Sequence, residues 1–368
     1  MVKYIWQNLD FPNFTYDKET ILTLLAEVKL KQGHLLGQME NIGFENSQKT
    51  VLNVLTEDII KSSEIEGLKL NLEQVRSSLA RKLGIELNDD VFVERNIQGI
   101  VDMTFDAVKN FDKPLTQDRL FGWQAAMFPG GWNGLYKIKI GQYRDDNDGA
   151  MQVVSGAIGH EKVHYEAPQA EKLTEHMNQL IDYINNDTKT DLIIKAGIVH
   201  LWFVINHPFE DGNGRIARAL TDMLLARSEN SYYRYYSMSS QIKKNRKSYY
   251  EALEITQKSS LDITSWLKWF LENLILAIEN SQELFNDVIK KSKFWNKNSL
   301  TILNERQVKI INRLFDGFEG KLTTSKWAKM CNCSQDTATR DIMDLISKNI
   351  LEKQGKARAT NYILKSKW

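Results

Sequence analysis

Apolar residues recur at spacings of three and four through eight separate stretches of this 368-residue chain, and that rhythm commits most of it to helix. The stretches are 21–36, 51–60, 72–83, 97–108, 173–184, 192–205, 216–225 and 265–278. Gly67 is placed to close the second of them. Asn71 with Gln74 reads as an N-cap pair opening the third. One segment breaks the rhythm. Residues 141–166 are glycine-rich and β-branched, and two extended runs, Gln152–Gly156 and Lys162–Tyr165, around a Gly156–Gly159 turn predict a β-hairpin set between helices. The fold class expected is therefore mainly α with a hairpin flap.

The length suggests two or three domains, and charge separates one of them. From residue 297 onward there are 14 Lys and Arg against 7 Asp and Glu, a net of +7, while the rest carries −6, so the chain-wide +1 is a sum of unlike parts. The basic portion predicts helices over 305–315, 325–330 and 336–348. Two strands follow, 351–353 and 360–364, around the turn Gly355-Lys356-Ala357-Arg358. Three helices and a basic two-stranded wing resemble a winged helix-turn-helix, a module that contacts DNA or protein. Thr337, Thr339 and Arg340 lie on its recognition-helix candidate. Cys331 and Cys333 are too close to staple a fold and lack zinc partners nearby. With a polar N-terminal region and no apolar stretch long enough for a bilayer, the expectation is a cytoplasmic protein without membrane contact.

The densest chemistry is His207-Pro208-Phe209-Glu210-Asp211-Gly212-Asn213-Gly214-Arg215, continuing to Arg218. His207 can act as a base near neutral pH. Asp211 offers a hard oxygen suited to Mg²⁺. A helix starting near Gly212 would aim free N–H groups at an anion, and Arg215 and Arg218 would add two cationic forks on one face. Together these make a polyphosphate site with a metal and a base. No Walker sequence and no G-x-G-x-x-G is present to support a P-loop or Rossmann reading.

This stretch resembles the signature of the Fic family, His-Pro-Phe-x-Asp/Glu-Gly-Asn-Gly-Arg-x-x-Arg, at every defined position. Gly214 stands where the related Doc kinases usually carry Lys, which favours nucleotide transfer over phosphoryl transfer. Gly141-x-Tyr143-Arg144 and the following hairpin are similar to the family's flap. Ser62-Ser63-Glu64-Ile65-Glu66-Gly67 is similar to its inhibitory pattern, Ser/Thr-x-x-x-Glu-Gly/Asn. Tyr4-Ile5-Trp6-Gln7 and Phe11-Pro12-Asn13-Phe14 resemble the helical extension of many bacterial members.

The resemblance implies a protein adenylyltransferase that moves AMP from ATP to a Ser, Thr or Tyr hydroxyl of a target protein. His207 would be the base and Asp211 the Mg²⁺ ligand. Gly212, Asn213 and Gly214 would cradle phosphate, Asn213 also reaching one with its side chain, with Arg215 and Arg218 on the outer phosphates and Glu210 counted among the nucleotide-site residues. Phe209 would anchor the loop in the core. Val204 and Tyr249 would line the nucleoside pocket, a plain core role being the alternative for both. Ser62 and Glu66 would be inhibitory, with Glu66 paired to Arg218 and so also at the nucleotide site. In some relatives the same Glu helps remove AMP, and self-modification is a further expectation. The implied division is 1–110 as the extension with an inhibitory helix near 51–66, 111–290 as the catalytic core and 297–368 as the winged helix. The target would dock on the flap near 152–165, and a homodimer is possible. The alternative reading is a DNA-binding transcription regulator with a Fic-like sensor.

His160-Glu161-Lys162-Val163-His164 matches the H-E-x-x-H pattern of zinc proteases, which requires a helix. Here strand formers and nearby glycines predict extended chain, where residues four apart are separated by roughly 13 Å. The expectation is therefore flap residues facing target backbone, not a metal site.

Overall fold

The computed structural model describes residues 3–87, 91–147, 149–156, 160, 162–315, 318, 320–355 and 360–365. The chain is mainly helical. It runs α1 (Lys18–Met39), α2 (Phe44–Ile65), α3 (Leu72–Leu83), α4 (Arg95–Lys109) and α5 (Gln117–Met127). A two-residue ribbon of β1 (Trp132–Asn133) and β2 (Tyr136–Lys137) follows, then the hairpin β3 (Gln152–Ser155) and β4 (Lys162–Glu166). Next come α6 (Ala170–Asn186), α7 (Leu192–Asn206), α8 (Asn213–Glu229), α9 (Met238–Lys244), α10 (Arg246–Gln257) and α11 (Thr264–Lys297). The last part is α12 (Glu305–Phe315), α13 (Thr324–Cys331), α14 (Gln335–Ser347), β5 (Leu351–Gln354) and β6 (Asn361–Leu364). The turn residues 157–159 and 356–358 of the two expected hairpins, and Glu161 of the zinc-like pattern, lie outside the described residues.

Two compact units result, Met1–Leu36 with Ser47–Ser281, and Gly37–Asn46 with Gln282–Trp368. In the first, α7 is the central element: every residue from Ile193 to Asn206 is buried, which accounts for a sequence that is apolar except for Lys195, His200 and Asn206. Its tightest neighbour is α8. Close approach to α11 is possible because position 197 is glycine. A Cβ there would meet Leu267 and Phe270 at 2.9 and 3.0 Å, and the Gly197 carbonyl accepts from Trp266 Nε1 at 2.8 Å.

Helix ends follow local chemistry. Asn71 Oδ1 accepts from the Glu73 and Gln74 N–H groups, as an N-cap should, but the Gln74 side chain turns to Glu94 and does not complete a reciprocal pair. The end of α2 is closed by Gly67 at φ 83°, with its N–H on Glu64 O. Lys243 Nζ and Arg246 Nε donate to the Glu64 and Ile65 carbonyls, satisfying orphan acceptors at that negative helix end.

In the second unit, Phe294, Ile310, Ile311, Leu322, Trp327, Ala338, Ile342 and Leu345 form one core, closed by Ile350 and Leu351. The buried Asp341 is compensated by Arg306 and Asn304. β5 and β6 pair antiparallel, Leu351 opposite Leu364, and Leu322 bridges to Tyr362. Thr339 and Arg340 are exposed on α14. Among the described residues, no helix is long and apolar enough to cross a membrane.

Candidate active site

The site is made where α7 ends and α8 begins. His207 leaves α7 in the left-handed conformation, φ 45° and ψ 57°, its N–H still bonded to Phe203 O. That reversal turns the chain sharply and sets a half-buried imidazole at the joint. Arg144 fixes the turn: its Nε donates to His207 O at 2.9 Å, and its N–H to Pro208 O. Its other guanidinium contacts are Asp146 and the Pro168 carbonyl. Burial, reinforced by the Arg144 cation, pushes the His207 pKa down to about 4, so the imidazole is neutral and able to accept a proton at neutral pH.

The following loop is anchored from inside. Phe209 is fully buried among Phe121, Tyr143 and Phe203. Asn213 closes the loop on itself, accepting from Phe209 N–H at 3.0 Å and donating to Phe209 O at 2.7 Å. Its side chain is thus engaged with backbone, not turned toward a phosphate. Glu210 accepts the Lys139 N–H at 2.9 Å, an outward structural bond that sequence reasoning did not foresee. Asp211, 39% exposed at the side chain, accepts from its neighbour Gly212 N–H and from Asn133 Nδ2.

Gly212 sits at φ 91°, and a Cβ there would press on Met127 at 2.7 Å. Only glycine meets both demands, which allows α8 to start here without any side-chain cap. Its uncapped first-turn N–H groups and positive dipole end suit an anion. Arg215 and Arg218 follow, both buried. Burial lowers the Arg215 pKa; its Nε has no hydrogen-bond partner, and its guanidinium lies 5.0 Å from the Phe128 ring centre. For Arg218 burial acts the same way but the Glu66 carboxylate outweighs it, holding the cation above its usual range.

Glu66 meets Arg218 at 2.8 Å, Arg218 also donates to Ser62 Oγ and Ser62 O, and one Arg218 nitrogen, Nη1, stays without a hydrogen-bond partner. Glu66 Oε1 would lie 2.1 Å from a Cβ on Gly214. Glycine at 214 therefore leaves room for the carboxylate to rest against the start of α8.

The remaining sequence candidates fall elsewhere. Val204 is buried on α7. Tyr249 is a core residue: 2% exposed, its hydroxyl is 2.8 Å from His200 Nε2 and its ring packs near Trp266 and Trp269. His200 is buried and satisfied at both nitrogens, the other meeting Thr221. Burial pushes it down to about 3, with Arg218 adding to the effect.

The hairpin lies in register Gln152 opposite Glu166 and Val153 opposite Tyr165, with a bulge before Val154. Tyr165 is its anchor: its hydroxyl donates to Ile205 O at 2.8 Å, two residues before His207. His164 does not stand free for a partner's backbone as expected. Its Nε2 meets Ser155 Oγ at 2.6 Å and its Nδ1 meets Glu254 at 2.8 Å. Among the described residues no cluster of three or more His, Cys, Asp or Glu could hold a metal ion, and His164 lies on a strand.

Residues 114–225 match the Fic/DOC family, and residues 4–85 match a domain of unknown function (DUF4172). Over 60 residues the chain is 38% identical to protein adenylyltransferase fic-1 of Caenorhabditis elegans, covering 16% of this chain and 12% of that one. Over 184 residues it is 23% identical to the probable protein adenylyltransferase aq_aa38 of Aquifex aeolicus, covering 50% and 52%. The chain thus spans about half, or less, of the length of these curated relatives. The crystal structure of a Fic family protein from Desulfovibrio desulfuricans shares the fold, with a TM-score of 0.56 at 19% identity over 97% of this chain and 99% of that one. The loop from His207 to Arg218 accordingly lies inside the stretch of the chain that matches the Fic/DOC family.

Proposed function

We propose that the chain transfers AMP from ATP to a Ser, Thr or Tyr hydroxyl of a target protein. The observation that carries this reading is the meeting of a neutral, half-buried His207 with an uncapped helix start and two buried arginines. His207 would take the hydroxyl proton, and the freed oxygen would attack the α-phosphorus in line. The bond from that phosphorus to the bridging oxygen would break, releasing pyrophosphate and leaving AMP on the target. The start of α8 at Gly212, Asn213 and Gly214 would face phosphate oxygens through its N–H groups, while Arg215 and Arg218 would hold the outer phosphates. Val204, on the last turn of α7, would pack against the base.

The donor set also fits Mg²⁺. Asp211 is a hard, reachable carboxylate, and phosphate oxygens supply the rest, the usual way this ion is held. When bound, the ion would neutralise phosphate charge.

Glu66 would be inhibitory. Its carboxylate occupies Arg218 and rests against the helix start where phosphate charge should go, so it both removes a cation and repels the nucleotide. Ser62 would steady Arg218 in that state. The extension at 1–110, the core at 111–290 and a winged-helix contact module at 297–368 complete the division we propose. The target would dock on the hairpin around 152–165. The decisive experiment is transfer from ATP labelled in the adenine to proteins of a cell lysate. It should be strong for the Glu66→Gly form and absent once His207→Ala is added; label that survives His207→Ala overturns the assignment.

A further inference from the structure

Asp211 lies between two attractions. On one side is Arg215, in the first turn of α8, with its Nη2 at 3.7 Å from Asp211 Oδ1, too far for a hydrogen bond but near enough to pull. On the other side is Asn133, seventy-eight residues earlier in the chain, with its Nδ2 at 2.5 Å from Oδ2. An ionised carboxylate can only accept, so the amide of Asn133 must present its NH₂.

Asn133 belongs to β1, opposite Tyr136 in β2. This small ribbon is held to the loop at a second point, because the Lys139 N–H just beyond β2 donates to Glu210 at 2.9 Å. Its base is closed by Ile138 N–H on Gly131 O and by Gln124 on Lys139 O. The residue that begins this corner, Phe128, lies under the Arg215 guanidinium. One short segment, 128–139, therefore holds Arg215 from beneath and the Glu210–Asp211 carboxylates from the side.

We infer that Asn133 is a positioning residue that fixes the Asp211 carboxylate for a divalent cation and keeps it off Arg215. The inference rests on the reading of Asp211 as the magnesium ligand. Without Asn133, Asp211 keeps one local bond to Gly212 N–H, and its nearest charge is Arg215. The carboxylate closes on that cation, and the site loses a metal ligand and a phosphate ligand together. Partners of this kind, bonded to a ligand and not to the ion, commonly set metal affinity. Asn133 is half-buried and polar in a two-residue strand, so packing alone gives no reason for an amide there.

The test is calorimetric binding of the slow-reacting analogue α,β-methylene-ATP to the full chain carrying Glu66→Gly, at a series of Mg²⁺ concentrations. Asn133→Asp is isosteric, removes the donor and adds repulsion; Asn133→Ala removes the contact alone. Both should raise the Mg²⁺ concentration for half-maximal binding by about ten-fold. Affinity at saturating Mg²⁺ should move far less, and the thermal transition should stay where it was. Unchanged Mg²⁺ dependence in both variants, with the parent binding normally, overturns the role of Asn133 alone. A parent whose nucleotide binding ignores Mg²⁺ overturns the reading of Asp211, and this inference with it.

Discussion

The two ends of α8 face the same helix, α2, yet solve different electrostatic problems. Three positions spaced by four, Asp58 and Ser62 on α2 and Glu66 just past its end, meet three spaced by four on α8 in reverse order, Asp222, Arg218 and Gly214. At the Gly214 end the charges balance in number, Arg215 and Arg218 against Glu66 and Asp211, but both carboxylates are partly exposed, and Arg215 Nε and Arg218 Nη1 have no hydrogen-bond partner. At the Asp222 end, acids are in excess. Asp58, Asp222 and Glu229 are buried around Arg234, with Ser237, Ser239, Tyr236 and Gln32 supplying hydrogen bonds. Burial, the Asp58 charge and a hydrogen bond between the two carboxyls push Asp222 well above its ordinary range. The difference teaches how to tell scaffolding from function along one helix. The acid-rich end surrounds its surplus with internal hydrogen bonds and a carboxyl of raised pKa, whereas the Gly214 end leaves two buried guanidinium N–H groups open to an anion from outside.

The comparison can be broken most sharply at its functional end. His207→Ala should reduce AMP transfer by about 10²–10⁴-fold in the Glu66→Gly form, the usual worth of a positioned base. Labelled-ATP assays measure it, and a loss under ten-fold would leave the histidine without a chemical role. At the scaffold end, Asp58→Ala strands two serine hydroxyls and should cost about 3 kcal/mol of stability by urea unfolding. Glu66→Gly should raise transfer by about ten-fold or more, a coupling typical of an internal inhibitor. Equal rates with and without Glu66 would mean that the ion pair with Arg218 is merely structural.

The smallest effects sharpen the contrast. Asp222→Asn swaps the carboxyl of raised pKa for an amide of equal size and should cost under about 1 kcal/mol, measured beside Asp58→Ala. The linkage sign agrees: a raised Asp pKa gives stability that is full below about pH 4 and lost as pH climbs through the raised value. His207 runs the other way. Its pKa is lowered to about 4, so its contribution to stability falls as pH drops from about 6.5 to about 4. The acid limb of kcat/KM should follow, with a midpoint near 4; a midpoint at 6.5 would show an imidazole that solvent reaches freely.

Legibility in the sequence tracked how local the cause was. The long helices were legible because their apolar period is written in neighbouring residues, and α7 because it is apolar on nearly every side, Lys195 and His200 excepted. The loop from His207 to Arg218 was legible because base, carboxylate, glycines and arginines fall within twelve positions. What escaped depended on distant partners. Tyr249 sits on His200 because two helices bring them together, and nothing within 245–250 announces that bond. Glu210 and Asp211 are held by Lys139 and Asn133 through a ribbon too short to leave a strand pattern. α5, α9 and α10 also went unread: α5 is short and its apolar residues are bunched, and α9 and α10 are interrupted at Asn245. Asp58 had a visible signal, since it continues the spacing of Ser62 and Glu66, but its meaning required Asp222 one turn beyond Arg218.

Tyr165 carries a last consequence. Its side chain is buried against Tyr4, and its hydroxyl is fastened to the carbonyl two residues ahead of His207. A strand that slips by one residue presents its other face, so only one alignment of β4 puts an aromatic ring into that socket; the neighbours, His164 and Glu166, would bring a charge or a poor fit. The hairpin is therefore indexed to the base like a key cut for one notch. Under the docking proposed above, a peptide pairing with the hairpin's edge would inherit that indexing.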